Sequence, residues 1–108
     1  MQFVNLIPHA INIFNEQGDP ITTIEPSGTV ARLTAEREHI DTVADVPLYV
    51  TRYGDVQDLP AIDPDVAIMY IVSGLVRSAL PERRDLWQPG ELLRNAQGQP
   101  IGCVGLSQ

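Results

Sequence analysis

Val66-Ala67-Ile68-Met69-Tyr70-Ile71-Val72 is an almost unbroken apolar run, and its reading decides the fold. It is too short to cross a bilayer and rich in strand formers, so it reads as a buried strand with both faces covered. Ser73-Gly74 punctuates it, and Leu75-Val76-Arg77-Ser78-Ala79-Leu80 then predicts a short amphipathic helix stopped by Pro81. Arg83 and Arg84 follow at once. A strand that delivers a Ser-Gly turn to a helix start, with arginines close behind, is an expected place for an anion.

Working outward, Phe3-Val4-Asn5-Leu6 predicts a first strand halted by Pro8. Ala10-Ile11-Asn12-Ile13-Phe14 and Ile21-Thr22-Thr23-Ile24 predict a β-hairpin around the turn Asn15-Glu16-Gln17-Gly18-Asp19-Pro20. Thr29-Val30-Ala31-Arg32-Leu33-Thr34 alternates and predicts a strand. Glu36-Arg37-Glu38-His39 reads either as a charged loop or as an exposed strand edge. Val46 to Tyr53 predicts a strand closed by Gly54-Asp55, and Asp58 to Asp65 a Pro/Asp loop. Glu91-Leu92-Leu93-Arg94 and Pro100 to Val104 predict a last hairpin. The fold class expected is mostly β, a small barrel or sandwich-like sheet with one short helix, with α+β as the alternative. One domain spans residues 1–108.

One internal echo stands out. Asn15-Glu16-Gln17-Gly18-Asp19-Pro20-Ile21 matches Asn95-Ala96-Gln97-Gly98-Gln99-Pro100-Ile101 at five of seven positions. Convergent turn chemistry explains this, since Asn and Gly supply the backbone angles a hairpin needs. A duplicated half-domain is the alternative, and the flanking segments do not align further.

Composition bounds the function. The 108 residues are 44% hydrophobic and 19% charged, as in a globular domain, and the net charge is −7. That charge argues against nucleic-acid binding, which rewards dense positive charge. No basic amphipathic stretch points to a membrane, and Met1-Gln2-Phe3-Val4-Asn5 lacks a basic leader, so a cytoplasmic location is expected. The one cysteine, Cys103, has small or apolar neighbours and reads as a buried hydrophobe. No metal or cofactor is expected, because HxH, HExxH and CxxC spacings are absent and the carboxylates are scattered. No catalytic residue stands out, and GxSxG is absent.

All seven cations are arginines, planar donors suited to carboxylates and phosphates. Residues 1–72 hold three arginines against eleven acids, whereas residues 73–108 hold four against three. A local positive site in an acidic molecule follows. The candidate ligand-binding residues are Ser73, Gly74, Arg77, Arg83 and Arg84, with Ser27 and Arg32 around a second Ser-Gly turn, and with His9 and Trp87. Each has a plainer alternative: Ser73 as a helix cap, Arg83-Arg84 with Asp85 as an ion-pair cluster, His9 as a backbone-bonded turn residue, Trp87 as a core anchor.

The order Asn5-Leu6-x-Pro8-His9, Pro26-Ser27-Gly28-x-Val30-Ala31-Arg32, Tyr70-Ile71-Val72-Ser73, Pro89-Gly90 and Gly102-Cys103 resembles a small family of proteins from phages, prophages and actinobacterial genomes. The resemblance covers nearly the whole chain, with Ile7 where the family pattern has Thr. It implies a phage context and carries over no activity or catalytic residue. The leading expectation is a non-enzymatic, homo-oligomeric binding protein, an anti-defence sponge for a small anionic nucleotide signal. The alternative is a phage structural or accessory protein, or an inhibitor of a host protein. A small hydrolase using His9 is the third.

Overall fold

The computed structural model describes residues Gln2 to Gln108. The chain is mostly β, as expected. Its strands are β1 (Gln2–Asn5), β2 (Ile11–Phe14), β3 (Pro20–Ile24), β4 (Ala35–Val43), β5 (Val46–Tyr53), β6 (Ile68–Ile71), β7 (Leu86–Arg94) and β8 (Pro100–Ser107). One helix, α1 (Gly74–Ala79), lies between β6 and β7. Six strands form a sheet in the order β1-β6-β7-β8-β2-β3, and β4 and β5 form a separate pair.

The six-stranded sheet curls until its two edges nearly meet. Just beyond β3, Pro26 bridges Asn5 on β1. The Ser27 N–H and hydroxyl both donate to the Asn5 carbonyl, at 3.0 and 2.7 Å. The Asn5 side chain completes the closure. Its amide donates to the carbonyls of His9 (3.0 Å) and Ile24 (3.1 Å), while its oxygen accepts the Ile7 N–H (2.9 Å). Asn5 is 1% exposed and fully engaged, as a buried carboxamide must be.

The apolar run is the wall between two cores. On β6, Ile71 joins Ile7, Ile11, Ile13 and Cys103 inside the curled sheet. Tyr70 and the following Val72 face the other way, onto Leu6, Ala31, Val76 and Leu86. The outer layer that covers them comes from α1 and from the segments carrying Leu33, Val56 and Leu59. Strand β6 pairs in parallel with β1 and β7, so α1 is a crossover. Ser73 caps the helix, its Oγ accepting the Val76 N–H at 3.3 Å. A Cβ on Gly74 would meet only the end of the flexible Gln88 side chain, whereas one on Gly90 would run into the Val104 carbonyl of β8, so close strand approach requires glycine at position 90.

Both copies of the internal echo form the same turn. Asn15 Oδ1 accepts the N–H groups of Gln17 and Asp19, both at 3.0 Å, with Gly18 at φ +82°. Asn95 Oδ1 accepts those of Gln97 (2.9 Å) and Gln99 (3.0 Å), with Gly98 at φ +79°. The same five residue types solve the same problem in two hairpins, β2–β3 and β7–β8. These hairpins lie side by side through parallel pairing of β2 with β8.

One expected strand is absent. Residues 29–34 make only a single bridge, Arg32 to Gln57. The segment drapes over the outer core through Ala31 and Leu33 rather than joining a sheet. Conversely, Glu36 to His39, left open between loop and strand edge, lies within the long strand β4.

Asn5→Ala is expected to destabilise the chain by about 2–4 kcal/mol, because buried backbone groups lose their partners. Asn15→Ala, at an exposed turn, is expected to cost about 0.5–1.5 kcal/mol. Urea unfolding of the two variants checks the order.

Candidate functional site

The structure gives most of the anticipated anion-binding residues other work. Ser73 is the helix cap, and its carbonyl also accepts the Arg77 N–H at 3.0 Å. Arg77 is 9% exposed and sends one guanidinium nitrogen to the Leu80 carbonyl at 3.3 Å. Its Nε is buried without a partner. Arg83 forms a bidentate pair with Asp85, at 2.8 and 2.7 Å, and reaches the Pro60 carbonyl at 3.1 Å. Arg84 is exposed, and its carbonyl accepts the Gln108 side-chain amide at 2.7 Å. Ser73, Gly74, Arg77, Arg83 and Arg84 share no described crevice.

The second Ser-Gly turn fares differently. Ser27 is spent on the closure at Asn5, but Arg32 is exposed and makes no side-chain hydrogen bond or ion pair among the described residues. It lies between two crevices, a polar one of about 480 Å³ and a mixed one of about 350 Å³. One is lined with Gly28, Thr29, Gln57 and Asp58, and the other with Thr34, Asp55 and Gln57. Asp55 and Asp58 oppose its charge there.

His9 and Trp87 belong to two further crevices, at either side of the inner core. His9 lies with Ile11, Pro89, Leu92, Pro100, Ile101 and Cys103 around about 250 Å³, its Nδ1 3.0 Å from the Ala10 carbonyl. Trp87 lines an almost wholly apolar crevice of about 310 Å³ with Phe3, Ile13, Ile24, Met69 and Leu106. No group of three or more His, Cys, Asp or Glu gathers among the described residues. Among the described residues no helix is long and apolar enough to cross a membrane.

The feature that sequence reading did not single out is the β4–β5 hairpin. Its turn residues Ala44 and Asp45 both have positive φ, as a two-residue hairpin loop of type I′ needs. All but one of its strand residues are exposed. Ile40, Val43, Val46, Leu48, Tyr49 and Tyr53 present large apolar surfaces to solvent. Internal contacts hold it: Arg37 stacks 4.1 Å over the Tyr49 ring, His39 Nε2 lies 2.9 Å from the Thr42 hydroxyl, and Arg52 pairs with Glu38. At its root the Gly54 N–H donates to the Thr34 carbonyl at 2.8 Å, and Arg32 and Gln57 exchange backbone bonds at 3.1 and 2.7 Å. Beyond that root neither strand makes more than slight contact with the six-stranded sheet. The radius of gyration shows the protrusion: 16.9 Å, against about 13 Å for a compact chain of this length.

The signal for the arm was present in residues 35–53, where apolar residues fall on both faces of an alternating pattern. Pairing of β4 with β5 puts Val43 beside Val46 on one face, and Tyr49 beside His39 on the other. Comparison with protein-family models, with curated proteins and with solved structures finds no match.

Two expectations follow from the arginines. The hydrogen-bonded Arg83 guanidinium holds the Asp85 carboxyl below the usual carboxylate range, and Asp85 in turn raises Arg83. A depressed carboxylate stabilises the fold above its unfolded-state pKa of about 4, and that contribution is lost as pH falls through the folded-state value. Asp85→Asn is therefore expected to cost about 1–3 kcal/mol at neutral pH. The deficit should shrink below about pH 4, measured by urea unfolding across pH. Arg77→Met keeps the packing and removes an orphaned buried donor, so its unfolding midpoint should equal or exceed that of the parent.

Proposed function

We propose that this protein is a non-enzymatic interaction module that assembles with further copies of itself through the β4–β5 arm. The arm is the observation that carries the reading. An isolated two-stranded hairpin is marginally stable in water, and exposed strand edges with apolar side chains invite pairing. A long arm of this kind, rooted by few bonds and apolar on both faces, gains its stability from a partner surface. The resemblance to phage proteins supports the same reading, since a structural or accessory role asks for self-association.

This reading takes up the homo-oligomer expected from sequence and assigns its contact surface. In the apolar strand β6, Tyr70 and Ile71 are buried on opposite faces and Ile68 and Met69 are half-buried, so it exposes less apolar surface than the arm. The exposed apolar residues of the arm take its place.

Of the anticipated anion-binding arginines, Arg32 and Arg84 make no side-chain hydrogen bond or ion pair among the described residues, and Arg32 at the root of the arm also lines a crevice, so an anion-binding role is tested there. A panel of mono-, di- and cyclic nucleotides titrated by calorimetry tests it. Saturable binding lost in Arg32→Ala would favour the nucleotide-capture reading, whereas no heat from any of them removes it.

The assembly reading is tested by light scattering on the full chain at micromolar concentration. The parent protein is expected to run as an oligomer. Leu48→Asp, an exposed change that leaves the circular dichroism spectrum unaltered, is expected to weaken association by at least about tenfold. A parent chain that stays monomeric overturns the proposal.

A further inference from the structure

We infer that the arm of one copy seats its tip in the crevice between β2, β7 and β8 of a second copy. The inference rests on the assembly reading above and adds the receiving surface. Two crevices could accept an apolar tip, and charge decides between them. The tip carries Ile40, Val43, Val46 and Leu48, with Asp41 and Asp45 beside them. The arm's two cations are occupied within it, Arg37 over Tyr49 and Arg52 with Glu38. The tip therefore arrives apolar and net negative.

The crevice at β2, β7 and β8 offers the matching chemistry. Leu92 is 51% and Ile101 39% exposed, beside Ile11 and Pro100. No carboxylate lines it, and His9 does. Arg94 is the cross-strand partner of Pro100 and stands at its edge, one guanidinium nitrogen donating to the Gly98 carbonyl at 2.7 Å. Its remaining donors have no partner among the described residues. Neither crevice is lined by an arginine or a carboxylate, so the Arg94 guanidinium at the edge of the first is what would offset the desolvation of Asp41 and Asp45 there.

The root of the arm lies on the outer core side, where Leu33 and Val56 pack, and the crevice borders the inner core through Ile11 and Cys103. In the single chain the arm reaches no such surface. Eight or nine residues of strand extend about 25–30 Å, which spans the distance to a neighbouring barrel. Exchange of arms between two copies makes a two-fold pair with two identical junctions, whereas one-way insertion makes a ring if the rotation between copies closes and a filament if it does not.

A complementation experiment tests this with full-length protein. Leu48→Asp damages the arm and leaves the crevice; Ile101→Asp damages the crevice and leaves the arm. Sedimentation or native mass spectrometry is expected to show the parent assembled and each variant alone monomeric. Their equimolar mixture is expected to form a heterodimer through the one intact junction. If Ile101→Asp loses its circular dichroism signal, Leu92→Asp replaces it. A crevice variant that remains assembled, or a mixture that stays monomeric, overturns the arm-in-crevice contact while leaving arm-dependent assembly standing. A parent chain that is itself monomeric overturns both.

Discussion

The rest of the structure hangs on the closure at Asn5. A curled six-stranded sheet has two free edges, and free edges carry unpaired backbone groups. Here the edges are joined by one residue rather than by a full ladder. Asn5 accepts two hydrogen bonds from Ser27 through its carbonyl. Its side chain ties down the carbonyls of His9 and Ile24 and the N–H of Ile7. A carboxamide suits this position because it offers donors and an acceptor without charge, so it can be buried and fully paired.

Closure in turn sets what β6 can do. With β1 held against the end of β3, the apolar strand becomes a partition, Ile71 facing the inner core and Tyr70 the outer one. The outer core needs its own cover, which α1 and residues 31–33 and 56–59 supply. The chain between those two segments leaves as a hairpin, and all but one of its apolar residues lie exposed.

The arginines illustrate how burial reassigns a side chain. Proximity in sequence placed Arg77, Arg83 and Arg84 near one turn. In three dimensions Arg77 is drawn under the helix, and Arg83 is locked to Asp85 in a bidentate pair. A guanidinium already satisfied by a carboxylate has little to offer a ligand. Arg32 and Arg84 make no side-chain hydrogen bond among the described residues and Arg94 makes one, so these three keep free donors.

Local chemistry was legible in the sequence by itself. The two Asn-Gly turns, the apolar partition strand, the Ser73 cap and the Pro81 stop all act over a few residues, where backbone angles and short-range hydrogen bonds decide the outcome. The mostly β class followed from them. Long-range placement was decided only by the tertiary structure. Alternation at Thr29 to Thr34 signalled a strand, but the segment found apolar surface to cover instead of an edge to pair with. The role of Asn5 depends on Ser27 and Ile24, some twenty residues away. The arm shows the same limit: its strands were readable, but not that no sheet of the chain would take them in. That depends on which edges and faces the remaining strands leave free, and this is settled only when the barrel closes.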